Sequence, residues 1–191
     1  MYRAVTLLAL NNDIEPDDEE KIYKELENSK IEIDNDAGSE DQYTKVSING
    51  EDVTDEIRSE RVGASVSIVS KHSKIRKYLV NLQRKMATKG KAVLEGRDTG
   101  SVVCPDADLK VYLTANIQER IRRRKKQLIE KGKGLDDNII KNEIETRDKI
   151  DSSRKDSPLV IPEGAAVIDT SFMTIEEVSA EIKRLFKEKD V

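Results

Sequence analysis

The sequence predicts an α/β fold with a parallel sheet and helices on both of its faces. Short apolar runs at residues 91–98, 109–115 and 165–171 have the length of buried strands, and segments with apolar residues at helical spacing alternate with them. Parallel neighbours need a long crossover connection, which the alternating helices supply. The length of 191 residues suits one domain with small insertions, and we expect 1–191 to form it.

The first ninety residues predict three helices and a small antiparallel insertion. Apolar residues recur at helical spacing in 1–10 and 75–86. Pro16 and the acidic residues 17–20 mark the start of a helix over 17–30, because the helix dipole favours negative charge there. Residues 31–56 instead alternate apolar and polar side chains, and Asn49-Gly50 within them is a strong hairpin-turn signal. The first helix has an apolar face without a cap before it, which is typical of a helix entered from a preceding segment.

The rest of the chain predicts two helices between its last two strands and one helix after them. Asn116 and Glu119 form a capping pair at the start of one helix, and another spans about 136–154. Thr174 and Glu177 form a capping box for an amphipathic helix near the C-terminus.

Composition narrows the class of protein. The net charge of -4, from 34 basic and 38 acidic residues, argues against a general polyanion binder, so any anion site must be a local cluster. Cys104 is the single cysteine, which excludes an internal disulfide and a cysteine-based zinc site. Neither a membrane-spanning stretch nor a signal-peptide pattern is evident, so a cytoplasmic location is expected.

The motif Gly96-Arg97-Asp98-Thr99-Gly100 follows the first of the three apolar runs directly. Ligands of open α/β sheets bind at the carboxyl ends of the strands. Arg97 can contact an anion there, and Asp98 can accept a hydrogen bond from a ring amine. The alternative is a tight turn in which the two side chains pair with each other. The motif is not the dinucleotide fingerprint, which has three glycines in another pattern.

Arg147, Asp151 and Arg154 lie at i, i+4 and i+7 of a predicted helix, so they share one face. Arginines suit bidentate phosphate contacts, and a carboxylate between them can orient them or accept from a ribose hydroxyl. The alternative is a solvated ladder of ion pairs, which contributes only tenths of a kcal/mol per pair.

A dense basic run lies in the predicted helix that starts near Asn116. No aromatic residues are interleaved for base stacking, so the run is a weak candidate for a nucleic-acid patch. A solvated helix face and a phosphate-facing lid are the other two interpretations of the run. The run comprises Arg120, Arg122, Arg123, Arg124, Lys125 and Lys126.

We expect His72 at the surface and Cys104 in the core. No spacing of His, Cys, Asp or Glu residues predicts a protein metal cage.

Several motifs follow one another along essentially the whole chain. They are MYRA (1–4), GEDV (50–53), EIR (56–58), EGRDTGSVVCPDADLK (95–110), RD (147–148) and SPL (157–159). With Asp151 and Arg154, this ordered set resembles the bacterial cytidylate kinases, a branch of the nucleoside monophosphate kinases of the phosphate-loop type. Cys104 stands where most relatives have phenylalanine.

The resemblance implies phosphoryl transfer from ATP to CMP or dCMP with Mg²⁺, in pyrimidine nucleotide metabolism, by a monomer with no nucleic-acid or membrane partner. It also implies a monophosphate-binding insertion at 28–61 and a mobile lid at 120–157. The implied CMP-binding residues are Arg3, Ser67, Arg76, Arg97 and Asp98. The implied catalytic residues, which grip the sugar and phosphate, are Arg147, Asp151 and Arg154.

No G-x-x-x-x-G-K-[ST] phosphate loop occurs in the 191 residues, although the resembled family carries one. We therefore expect the family's first strand, phosphate loop and first helix upstream of Met1, beyond a start codon placed too late. We also expect the chain alone neither to fold well nor to phosphorylate CMP. Two alternatives stay open: an inactive relic that still binds CMP, and a nucleic-acid binder that uses 120–126.

Overall fold

The computed structural model describes residues 1–35, 44–88, 90–130, 132 and 134–189. Residues 36–43 of the predicted insertion lie outside the described residues. The chain forms two compact units, Met1–Met86 and Ala87–Val191.

The first unit is mostly helical and contains one small antiparallel sheet. The sheet has the strand order β1-β2-β3, and both pairs are antiparallel. The insertion predicted for 31–56 is therefore antiparallel where it is described. The elements are α1 (Tyr2–Asn11), α2 (Glu19–Glu27), β1 (Ile31–Asn35), β2 (Thr44–Ile48), β3 (Glu51–Asp52), a 3₁₀ turn (Glu56–Arg58), α3 (Glu60–Val69) and α4 (Ser73–Ala87).

The turn between β2 and β3 is the predicted Asn49-Gly50 turn. Both residues have positive φ, 53° at Asn49 and 86° at Gly50. Two-residue hairpin turns favour asparagine and glycine because these residues adopt that conformation at low cost. The Asn49 side chain also accepts a hydrogen bond from the Lys30 amide at 2.8 Å, which ties the turn to the start of β1.

Helix α1 lies at the centre of the first unit's core. Ala4, Val5 and Leu7 are fully buried, and the helix packs against α2, α3 and β2. Ile22 of α2 is fully buried as well. The apolar face predicted for 1–10 therefore corresponds to a helix that buries it, which is the usual source of helix stability in a protein.

The second unit contains a parallel pair of strands. β4 pairs with β5 from Val111 opposite Ala166 to Thr114 opposite Asp169, which confirms the predicted parallel arrangement. Parallel strands end at the same edge of a sheet, so side chains that follow both strands meet there. The elements are a π-helical turn (Thr99–Val103), β4 (Val111–Thr114), α5 (Ile117–Glu130), α6 (Asp137–Ser152), β5 (Ala166–Asp169) and α7 (Ile175–Lys187).

Side-chain caps begin the helices of the second unit where the sequence predicts them. Asn116 accepts from the Glu119 amide at 2.9 Å, and Thr174 with Glu177 forms a complete capping box. Asp136 caps α6 by accepting from the Asn138 amide. None of the helices in the described part of the chain combines the length and apolar character that a membrane span requires.

The strand predicted at 91–98 is wrong. Described residues in this range form no strand, and Val93 is fully exposed. Leu113 of β4 and Val167 of β5 are also 51% and 54% exposed, more than their apolar strands predict. An apolar run indicates that a segment can be buried in a sheet. A strand forms only where a second strand supplies partners for its backbone hydrogen bonds.

A matched pair of substitutions tests whether Val93 is exposed and Val103 is buried. Val103→Ala is expected to lower the free energy of unfolding by about 1–3 kcal/mol, because Val103 is 2% exposed and loses buried methyl groups. Val93→Ala is expected to change it by less than about 0.5 kcal/mol. Urea unfolding followed by circular dichroism measures both, and equal losses would contradict the exposed position of Val93.

Candidate active site

The second unit buries a carboxylate among arginines. Asp151 on α6 is 2% exposed, and its carboxylate pairs with Arg154, whose side chain is 7% exposed. The Nε atoms of Arg97 and Arg147 lie 3.4 Å and 4.0 Å from Asp151 Oδ2. The helix predicted over about 136–154 ends at Ser152, so Arg147 and Asp151 share a face of α6 and Arg154 lies two residues beyond it. Asp151 and Arg154 are buried and are not part of a solvated ladder.

The Oδ2 atom of Asp151 is buried, and no residue in the described part of the chain donates a hydrogen bond to it. The main chain holds Asp151 as well, because the Leu159 amide donates to the Asp151 carbonyl at 2.8 Å. This bond folds the segment after α6 back onto the last turns of the helix. Asp151 is thus fixed at both its side chain and its carbonyl.

Arg97 reaches this site from a loop, and not from the predicted strand tip. The π-helical turn begins directly after Asp98, whose carbonyl accepts from the Val102 and Val103 amides at 2.9 Å and 3.1 Å. Asp98 itself is 6% exposed. A Cβ at Gly100 would lie 3.0 Å from a ring carbon of Pro162, so glycine permits the close approach here. Turns of this kind are frequent at functional sites.

Positive charge exceeds negative charge around Arg147. Burial lowers the pKa of the Arg147 guanidinium, and repulsion from Arg97 and Arg124 lowers it further, whereas Asp148 acts in the opposite direction. The environment of Arg147 therefore disfavours another cation. It suits an anion, and a phosphate group is the anion whose shape matches several guanidinium groups.

Most side chains of the basic run on α5 form ion pairs with carboxylates. Glu119 pairs with Arg122 and Arg123, each at 2.7 Å. Arg123 also donates to the side chain and carbonyl of Thr170 after β5, which holds the start of α5 at the edge of the parallel strands. Such pairing weakens the alternative of an open nucleic-acid patch, because paired cations offer less charge to a phosphate backbone.

Two further pairs on α5 join it to the beginning and end of α6. Lys125 lies 2.8 Å from Asp137, and Arg120 pairs with Asp148. In the sequence, Arg120 stands out only as part of a basic run and Asp148 only as part of a motif. The signal for their pairing would have been the prediction that α5 and α6 pack together, which periodicity alone does not provide.

The remaining predicted site residues, Arg3, Ser67 and Arg76, lie in the first unit. Arg76 is 2% exposed, donates to the Ser70 carbonyl at 2.9 Å, and lies with its guanidinium carbon 5.1 Å from the centre of the Tyr2 ring. Ser67 is half-buried, and its carbonyl accepts from the Ser70 hydroxyl.

Arg3 donates to the Ile57 carbonyl at 2.8 Å and so joins α1 to the 3₁₀ turn. His72 is half-buried and not simply a surface residue, since its Nε2 lies 2.8 Å from the Pro16 carbonyl oxygen. Cys104 is also only half-buried, which differs from the core position expected for it.

An α/β unit with one helix arginine and two arginines from segments outside the helices around one buried aspartate is suited to a phosphate-bearing ligand, as in a nucleotide phosphotransferase. Comparison with known proteins makes the class specific. The profile of the family described as cytidylate kinase matches residues 1–188.

Individual relatives named cytidylate kinase agree with the family profile. The chain is 44% identical to that of Caldanaerobacter subterraneus over 178 residues, covering 93% of this chain and 76% of the relative. It is 43% identical to that of Enterococcus faecalis, covering 99% and 82%. It is 42% identical to that of Carboxydothermus hydrogenoformans, covering 100% and 84%. The chain therefore belongs to the cytidylate kinase family of nucleoside monophosphate kinases.

Removal of the buried carboxylate is expected to be costly. Asp151→Asn should lower the free energy of unfolding by about 3–5 kcal/mol, because it removes the negative charge that faces the buried Arg154 guanidinium. Glu145→Gln is the matched control on α6, since Glu145 is 54% exposed and lies 3.8 Å from Lys141. It should cost less than about 1 kcal/mol. Urea unfolding measures both, and similar small losses would favour the solvated ladder.

A dependence on pH is expected from Glu119. Hydrogen bonds from Arg122 and Arg123 lower its pKa from the ordinary value of 4.5 to about 2. Because the folded pKa lies below the unfolded one, this stabilisation is fully present above about pH 4.5 and is lost as the pH falls towards about 2.

The comparison of wild type with Glu119→Gln isolates that contribution. The difference in their free energies of unfolding should stay constant from about pH 7 to pH 5 and shrink below about pH 4.5. Urea unfolding across this range measures it. A difference that persisted unchanged down to about pH 2.5 would show that the charge on Glu119 is not the source.

Proposed function

We propose that the protein transfers a phosphoryl group from ATP to CMP or dCMP, giving ADP and CDP or dCDP. The observation that carries this proposal is the buried Asp151 with Arg97, Arg147 and Arg154 around it, in a chain of the cytidylate kinase family. Phosphoryl transfer needs little covalent work from the protein. It needs the reacting groups held in line and positive charge beside the oxygens on which negative charge develops.

In this proposal, Arg147 and Arg154 bind the phosphate of CMP, and Asp151 orients both guanidinium groups and accepts from a sugar hydroxyl. Support comes from the surplus of cations around Arg147, since Arg97, Arg120 and Arg124 repel its charge and Asp148 attracts it. A CMP phosphate oxygen then attacks the terminal phosphorus of ATP, and the bond to ADP breaks. Exclusion of water by a closing lid directs the phosphoryl group to CMP.

Recognition of cytosine is assigned to Asp98, with Arg97 beside it. Cytosine carries an exocyclic amine, which donates to a carboxylate, whereas uracil has a carbonyl oxygen at the same position and would be repelled. Arg3, Ser67 and Arg76 keep the roles that the family resemblance gives them: Arg3 contacts the acceptor phosphate, and Ser67 and Arg76 contact the base.

The proposal includes Mg²⁺ as a companion of ATP. Within the described ranges, no group of three or more His, Cys, Asp or Glu side chains could hold a metal ion, and the arginine cluster repels cations. In this proposal the phosphates of the nucleotide hold the ion. Residues 28–61 as monophosphate-binding insertion, residues 120–157 as lid, a monomeric state and a cytoplasmic location belong to the same proposal.

We also propose that these 191 residues alone bind CMP without catalysing the reaction. The sequence contains no G-x-x-x-x-G-K-[ST], whose backbone amides and lysine hold the ATP phosphates. The expected readout is CMP binding together with undetectable ADP release from ATP and CMP. ADP release at the rate of an ordinary kinase would overturn this part.

Calorimetry on the 191-residue chain tests the acceptor site. CMP should bind at least about 10-fold more tightly than UMP, because a site built to accept from an amine leaves Asp98 facing a carbonyl in UMP. Arg147→Gln should weaken CMP binding by about 10-fold to 100-fold, since it removes a charge-assisted contact to phosphate.

Lys126→Gln is the matched control, because it removes one positive charge from an exposed position on α5. It should change CMP affinity by less than about 3-fold. An Arg147→Gln effect no larger than that of Lys126→Gln, or no discrimination between CMP and UMP, would overturn the assigned site.

The alternative is a catalytically inactive CMP-binding protein, which the same calorimetry would not separate from the kinase. The coding sequence upstream of Met1 does separate them. An in-frame phosphate loop there supports the kinase, and an in-frame stop codon supports the inactive binder.

A further inference from the structure

The α5–α6 helix pair carries an ion pair to which the proposed reaction gives no role. Arg120 on α5 donates from Nη1 and Nη2 to the two carboxylate oxygens of Asp148 on α6, at 2.5 Å and 2.8 Å. The two side chains are 34% and 31% exposed, so the pair is mostly shielded from water. Two parallel bonds fix the relative orientation of both groups, which a single contact does not do.

This pair lies next to a proposed phosphate-binding residue. Asp148 directly follows Arg147 in α6, and Arg120 lies one helical turn before Arg124 on α5. Both α5 arginines act on Arg147 electrostatically, as repelling charges. The way in which α5 is held against α6 therefore decides how strongly the α5 cations act on Arg147.

Arg147 has only a weak anchor of its own. Its side chain is 50% exposed, and its Nε lies 4.0 Å from Asp151 Oδ2, a longer contact than the others that Asp151 makes. A long side chain with one distant carboxylate has several accessible rotamers, and ordering it costs conformational entropy. A neighbour that limits those rotamers before the ligand arrives improves phosphate binding without touching the phosphate.

We propose that Asp148 is a positioning residue for phosphate recognition. By accepting hydrogen bonds from Arg120 at both carboxylate oxygens, it fixes α5 on α6 and keeps Arg147 directed towards the phosphate. The inference rests on the proposed function, because it takes Arg147 as a phosphate contact. Asp148 acts through Arg120 and makes no contact with the nucleotide.

The test compares affinities for CMP and for cytidine, which differ only by the phosphate. Calorimetry, with competition for the weaker ligand, gives the ratio of the two affinities for each variant of the 191-residue chain. Asp148→Asn should lower this ratio about 5-fold to 10-fold, and Arg120→Gln should lower it equally. The double variant should be no worse than either single variant, since both remove the same pair. Asp148→Glu, which keeps a carboxylate, should recover most of the ratio.

Glu181→Gln is the matched control. It removes one carboxylate charge from an arginine pair on α7, whose partner is Arg184, and should leave the ratio unchanged. Calorimetric melting of every variant gives its stability separately. Arg120→Lys replaces Arg120→Gln if the latter does not fold, because lysine keeps the positive charge but cannot form the two parallel hydrogen bonds to Asp148.

The possible outcomes are distinct. A lower melting temperature with an unchanged CMP-to-cytidine ratio would make the pair purely structural and overturn the proposal. A higher CMP affinity in Asp148→Asn, or additive losses in the double variant, would overturn it too, because Asp148 would then act by its charge alone. Equal affinity of the wild type for CMP and cytidine would instead overturn the proposed function, and this inference with it.

Discussion

The second unit depends on the compensation of one buried carboxylate by several guanidinium groups. Asp151 is nearly inaccessible to water, so its charge is tolerable only because Arg154 pairs with it and Arg97 and Arg147 lie within 4.0 Å. A buried pair of charges gains little net stability over apolar packing, since desolvation offsets most of the attraction. Its value here lies in placement: Arg97 from a loop, Arg147 from α6 and Arg154 from the segment after α6 are held around one carboxylate.

That placement depends on local backbone features as much as on side chains. The Leu159 amide bonds to the Asp151 carbonyl, so the segment that ends α6 is tied to the same residue that organises the arginines. On the other side, the π-helical turn at Thr99–Val103 follows Arg97 and Asp98 directly, and a Cβ at Gly100 would lie 3.0 Å from a ring carbon of Pro162, so glycine eases the close approach. The site is therefore flanked by two segments in which the chain folds back, the segment after α6 and the π-helical turn.

The sequence predicted the elements better than it predicted their partners. Helical spacing located α1 and α4, and Asn49-Gly50 located the hairpin turn. Asn116 with Glu119 located the start of α5, and Thr174 with Glu177 located the start of α7, because each is a local property. Arg154 lies two residues beyond the end of α6, but the face shared by Arg147 and Asp151 was predictable for the same reason. Its burial was not, and neither was the exposure of Val93, since both depend on which segments pack together. The pairing of Arg120 with Asp148 depends on the packing of α5 on α6 and was missed for that reason.

The distribution of charge explains how an acidic chain can bind an acidic ligand. The net charge of -4 repels a nucleotide at long range, but interactions beyond about 8 Å are largely screened at physiological ionic strength. What matters is the charge within that distance, and α5 and α6 arrange it by pairing. Glu119 neutralises cations at the start of α5, and Asp148 neutralises Arg120. The two carboxylates near Arg147 do not balance its arginine neighbours, so positive charge remains there, where a phosphate group can use it.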